Sequence, residues 1–176
     1  AGVEHLHGQA YIADPSTTVA RLISDSIAKI GENQGIPRLA RLAVGENGAS
    51  ATGGLGLYIH PGSQLGVLVE LSATKAGTAA TPEFQELAKD LAMQVAAADP
   101  SFIRKEDVDA TVLEKEREIQ KGRALAEGKP EKMVDRIVEG RMAKFYEEIC
   151  LLEQPFIKEN SVTVSQLVSQ KGTALG

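Results

Sequence analysis

One stretch of this chain recurs. Residues Gln9–Ser24 align without a gap on Gln154–Ser169, and seven of the sixteen pairs are identical, among them Gln9/Gln154, Thr18/Thr163, Val19/Val164 and Leu22/Leu167. Tyr11/Phe156, Asp14/Glu159 and Ile23/Val168 are physical near-equivalents, and the register holds to Gly31/Gly176. Copies this far apart do not make a solenoid, whose units are much shorter. They imply tandem domain copies. The expected organisation is residues 1–48 as the tail of one copy, a helix plus a strand, and residues 49–176 as a second core copy.

Composition narrows the class. At 176 residues the chain is long enough for one genuine core, and 43% hydrophobic with 24% charged residues is ordinary for a globular protein. Aromatics are only 4%, so that core must be mostly aliphatic. A net charge of -5 argues against a nucleic-acid footprint, which usually needs a basic face. Cys150 is the only cysteine, which rules out an intrachain disulfide. No apolar run approaches membrane-spanning length.

Along the chain, residues 1–15 carry little pattern. Val19, Leu22, Ile23, Ile27 and Ile30 have amphipathic-helix spacing, with Ser16 as expected N-cap and Gly31 as expected stop. Ile36–Val44 reads as a strand with a basic face of Arg38 and Arg41. That strand is expected to complete a sheet with a following hairpin, so that residues 25–176 form one closed unit. Gly45–Gly56 reads as a flexible connection. Leu57–His60, the turn Pro61-Gly62 and Leu65–Leu71 read as the β-hairpin. Ser72–Pro82 is expected to be a loop, and Pro82–Ala98 a helix buried on a broad face.

Asp109–Glu127 and Pro130–Ile149 then predict two long charged helices folded back on each other, at residues 109–149. Their thin apolar stripes are Val112, Ile119 and Leu125 on one arm, and Val134, Val138, Met142 and Phe145 on the other. Narrow stripes with charged flanks fit a projecting coiled-coil hairpin. The alternative is a pair of ordinary surface helices.

Taken in order, Lys29–Asn33, Tyr58–His60, Gly66–Leu71, Leu87–Ala97, Gly128–Lys132, Ile137–Arg141 and Leu152–Ile157 closely resemble translation elongation factor Ts, through most of residues 16–176. The resemblance implies an α+β fold: a small antiparallel β-sheet packed on helices, with a projecting antiparallel coiled-coil helical hairpin. It implies a protein that binds elongation factor Tu and speeds GDP release so that GTP can replace it, with no covalent catalysis and no cofactor. In the family, a strand like Gly66–Leu71 runs into a Thr-Asp-Phe-Val segment whose Asp and Phe wedge between helices of the GTPase. Here the corresponding positions read Lys75-Ala76-Gly77-Thr78, without the carboxylate or the ring. The expectation is a degenerate copy that binds but exchanges poorly, with the wedge elsewhere. Tandem copies resemble plastid polyproteins, which points to the chloroplast, with bacterial cytoplasm or mitochondrion as alternatives. A structural role in a ribosome-associated or other organellar assembly, and dimerisation through the coiled coil, remain open.

Candidate partner contacts are His60, Arg38, Arg41, Met142 and Phe145. His60 sits at a hairpin tip, where an exposed turn histidine is the plainer account. His5 and His7 lack the carboxylate or cysteine company of a metal site and read as a mobile end. Gly53–Gly56 lacks a following Lys-Ser/Thr, so it is hinge chemistry, not a phosphate loop. Glu114, Glu116 and Glu118 have no cleft and form a solvated face. Cys150 lies in an apolar run and reads as a buried small hydrophobe.

Overall fold

The computed structural model describes residues 2–46 and 52–175. The fold is α+β, and the chain divides into two units, Ala1–Arg41 and Leu42–Gly176.

The first unit contains α1 (Val3–His7), the strands β1 (Ala10–Tyr11) and β2 (Asp14–Thr18), and α2 (Val19–Ile30). His5 and His7 therefore belong to a short helix, not to a loose end. The N-cap of α2 is Thr18, whose hydroxyl accepts from Arg21 N, whereas Ser16 lies within β2 and donates to Asp14. Both residue types cap helices; the pairing of β1 with β2 holds residues 14–18 extended, so the helix starts later than its apolar periodicity suggests. Gly31 ends α2 in the left-handed region at φ 78°, as the sequence implies.

Residues 31–44 form no helix or strand. The expected strand Ile36–Val44 is thus absent, and the sheet it was to complete has two strands among the described residues. Pro37 supplies no backbone donor, and an extended segment without a partner gains no ladder.

In the second unit β3 (Gly54–Ile59) pairs antiparallel with β4 (Gly66–Leu71), Leu57 opposite Leu68 and Gly56 opposite Val69. His60 N donates to Leu65 O at 2.9 Å, and Gly62 at φ 92° turns the hairpin. The hairpin matches the sequence expectation, but β3 begins inside the supposed connection Gly45–Gly56, whose residues 47–51 lie outside the described residues.

Gly53, Gly54 and Gly56 are there for close packing, not hinging. The helix α3 (Pro82–Ala98) crosses the sheet so tightly that a Cβ on Gly56 would lie 2.3 Å from Ala88 O. One on Gly54 would lie 2.7 Å from Phe84 Cε1. Thr81 caps α3 by accepting from Phe84 N, with Pro82 in its first turn.

The main core joins Leu87 and Leu91 of α3 to Leu151, Phe156, Val164 and Leu167. The last four come from the segment after the long helices: β5 (Pro155–Phe156), β6 (Glu159–Thr163), α6 (Val164–Leu175) and the turn before them. The run Leu152–Ile157 thus docks largely on the core, as its apolar content implies.

The long helices are α4 (Ala110–Ala126) and α5 (Glu131–Ile149), which pack on one another around a separate apolar cluster. On α5 this comprises Val134, Val138 and Met142, with Phe145 beside it, as expected. On α4 the stripe is different. Leu113 and Ala124 face the partner, while Val112, Ile119 and Leu125 are exposed. Val112 and Leu113 are adjacent, about 100° apart on a helix, and the polar Glu116–Gln120 pair occupies the true seam, so hydrophobicity alone selects the wrong face.

Candidate functional site

The repeat is geometric as well as textual. Ala10 pairs with Thr18 and Tyr11 with Asp14; Pro155 pairs with Thr163 and Phe156 with Glu159, each hairpin slipping register at the same step. Val19 N donates to Gln9 O at 3.0 Å, and Val164 N to Gln154 O at 3.0 Å. Thr18 and Thr163 accept from the third residue onward, Arg21 N and Gln166 N, each at 3.2 Å. Identical short hairpins thus launch α2 and α6.

The loop after β4 leaves Lys75 and Ala76 exposed. Gly77 takes φ 85°, a left-handed backbone that disfavours any side chain. Thr78 is buried and begins a 3-10 turn, Thr78–Ala80, where the sequence implied only loop. Thr81 Oγ1 donates to Thr78 O at 2.8 Å, which ties this turn to the start of α3. Beneath the loop lies an apolar cavity of about 240 Å³ lined by Leu71, Thr78, Phe84, Leu87, Val168 and Leu175. Its walls bring no charged group, so it offers packing, not acid–base chemistry.

Other candidate residues separate. His60 is exposed, with Nδ1 3.0 Å from the Tyr58 hydroxyl and the two rings edge to face. Arg38 and Arg41 lie on irregular backbone, exposed, without the alternating strand face expected of them. Met142 is 1% exposed, so it fills the helix-pair seam and presents nothing to a partner. Phe145 is half-buried, its ring 6.4 Å from that of Tyr146. Along the helix pair, Arg117 bonds Glu139, and Arg141 bonds Glu127 at 2.7 Å. These ion pairs are exposed and each contributes at most about 1 kcal/mol. The Glu116 carboxylate is taken up by Gln120 at 2.7 Å, so it is not poised for catalysis.

Cys150 is fully buried, and burial pushes its thiol above the ordinary 9.0, which makes it a poor nucleophile. Among the described residues, no three His, Cys, Asp or Glu side chains gather as a metal site, and no helix is long and apolar enough to cross a membrane.

Sequence reasoning missed two buried amides, Gln94 and Gln154, whose side chains bond each other at 3.2 Å. The only signal was the identity of Gln154 with Gln9.

The described residues form an α+β scaffold with glycine-dependent helix–sheet packing, a duplicated hairpin–helix and a long helix pair. The family described as Elongation factor TS matches residues 2–175. Elongation factor Ts of Solibacter usitatus is 62% identical over 128 residues, which cover 73% of this chain and 60% of that protein. Those of Trichlorobacter lovleyi (42% identical) and Clostridium kluyveri (43%) match 100% and 99% of this chain, and 55% and 54% of their own lengths. The chain belongs to the elongation factor Ts family. It spans a little over half the length of these relatives.

Proposed function

We propose that this chain is a module that binds the elongation factor Tu GTPase and contributes to GDP/GTP exchange during translation elongation. The observation that carries the reading is the family match across nearly the whole chain. Exchange needs no bond-making. A factor that prefers the nucleotide-free GTPase must weaken GDP binding by the same coupling energy.

The loop Lys75–Thr78 has neither the carboxylate nor the ring of the family's wedge, and at Gly77 its backbone disfavours any side chain. The module therefore supplies anchoring energy and little of the differential affinity. Partner contacts come from the exposed His60, Arg38 and Arg41 and from the half-buried Phe145. The helix pair acts as a coiled-coil arm. The duplicated hairpin–helix supports residues 1–48 as the tail of a preceding copy and 49–176 as a second one. The relatives named above come from bacteria, which favours a bacterial setting over the plastid one.

The test is release of fluorescent GDP from elongation factor Tu, read beside direct binding. Binding with weak acceleration is the expected result. Strong exchange by this chain overturns the degenerate-loop reading, and absence of binding favours a structural role in another assembly.

A further inference from the structure

The Gln154 side chain crosses the root of the helix pair. Gln154 is 3% exposed, and its Nε2 donates to Glu148 O at 3.1 Å and to Ala98 O at 3.4 Å. Glu148 lies in the last turn of α5, and Ala98 is the last residue of α3. Helix C-termini leave carbonyls without intrahelical partners. One amide carries two N–H donors, and here they meet one such carbonyl from each helix. The amide orientation follows, because Nε2 meets two carbonyl oxygens and Oε1 accepts from Gln94 Nε2.

The neighbouring bonds do different work. Gln94, 1% exposed, donates to Pro155 O at 3.2 Å and accepts from Ile157 N at 2.9 Å, so it holds the β5–β6 hairpin against α3. Ser101 N and Phe102 N donate to Ile149 O, and Leu151 N donates to Phe102 O, each at 2.9 Å. Those bonds fasten the foot of α5 to the segment that links α3 to α4. Gln154 reaches from the foot of α5 to α3 itself. Its repeat partner Gln9 keeps the backbone bond to Val19, but its side chain is exposed.

Leverage makes this contact matter. A helix of 17 residues is ~25 Å long, so a tilt of ~10° at the root displaces its far end by ~4 Å. We propose that Gln154 is a positioning residue that fixes the angle between the α4–α5 pair and α3. On the elongation factor Tu reading, from which this last step follows, that angle also sets the affinity for the GTPase by pre-organising the arm.

The experiment places nitroxide labels at Lys89→Cys on α3 and Lys129→Cys at the turn of the pair, and measures their distance distribution by pulsed electron resonance. Cys150 is fully buried and does not compete for label. Gln154→Met removes these buried hydrogen bonds; Leu167→Ala, which costs core packing without removing a hydrogen bond to the Gln154 amide, is the control for lost stability. The expected result is a broadened or shifted distribution in Gln154→Met alone, and affinity for the GTPase reduced about tenfold in that variant only. An unchanged distribution in folded Gln154→Met overturns the proposal, as does equal broadening in both variants. If the wild-type chain does not bind elongation factor Tu, the affinity step falls with that reading, and the distance still decides the joint. Should Gln154→Met fail to fold, Gln154→Asn, with the same amide one methylene short, reads the same distance.

Discussion

Leu22 and Leu167 occupy the same position on two equivalent helices, yet Leu167 is 9% exposed and Leu22 is 36% exposed. The difference is in what lies opposite. Leu167 joins Leu87 and Leu91 of α3 in the main core, whereas α2 has no buried residue. The same local sequence therefore has two energetic values.

Leu167→Ala removes buried methylenes and leaves a cavity, which costs about 2–5 kcal/mol. Leu22→Ala costs under about 1 kcal/mol, because little burial is lost and alanine favours a helix. Urea titration of both variants checks this. Equal losses would mean that the apolar face of α2 is covered in solution.

Gly56 lies flat against the backbone of Ala88. Gly56→Ala forces its Cβ onto a carbonyl oxygen 2.3 Å away, and backbone cannot rotate aside as a side-chain end can. Overpacking of this kind costs about 1–3 kcal/mol or more. Gly66→Ala in the opposite strand meets nothing within 4 Å and is the control. Thermal melting should separate the two, and matching midpoints would refute the close-packing account.

How much of this was legible beforehand depended on how local each signal was. The β3–β4 hairpin and α3 announce themselves through turn residues and apolar spacing, all within a few residues. The repeat paired residues 9–24 with 154–169 but gave no hint of the hairpins β1–β2 and β5–β6, whose strands are too short for an alternating pattern. Gly54 and Gly56 misled, since glycine in a flexible run and glycine under a crossing helix look the same until α3 is in place. Ile36–Val44 misled because a strand exists only with a partner, and none pairs with it. In α4 the seam uses Ala124 and the Glu116–Gln120 pair, so the more hydrophobic residues pointed outward. The buried Gln94–Gln154 bond joins residues far apart in sequence, and no local pattern encodes it.

The helix pair has its own apolar cluster, distinct from the two that involve α3. Replacing residues 109–149 with a short linker should lower helix content yet leave one cooperative melt, followed by circular dichroism. Loss of cooperativity would show that α3 and α6 need the pair in order to pack.

Cys150 adds a pH-dependent term of known sign. Its thiol is raised above 9.0 chiefly by burial, so the folded chain holds that proton more tightly than the unfolded chain. The stabilising contribution is fully present below the unfolded value. It is lost as pH rises through the folded one, so the window lies above pH 9.0. Cys150→Ala should flatten that alkaline fall in the urea midpoint. An identical slope in both proteins would remove Cys150 as its source. In the native protein, thiol reagents should react only as fast as the chain opens.

The loop after β4 decides whether exchange can be rebuilt here. Ala76→Asp places a carboxylate on an exposed position and should leave stability nearly unchanged. Gly77→Phe is different: open space surrounds a Cβ at that point, but the backbone sits at φ 85°. A bulky residue held there costs about 1–3 kcal/mol, or pulls the following turn out of shape and exposes buried Thr78. A ring aimed by a distorted loop makes a poor wedge, because orientation counts as much as identity. The doubly substituted chain should therefore melt earlier than wild type and accelerate GDP release only partly, while binding elongation factor Tu about as well. Full exchange activity with an unchanged melting midpoint would show that the Gly77 backbone is no obstacle, and that only the two side chains were missing.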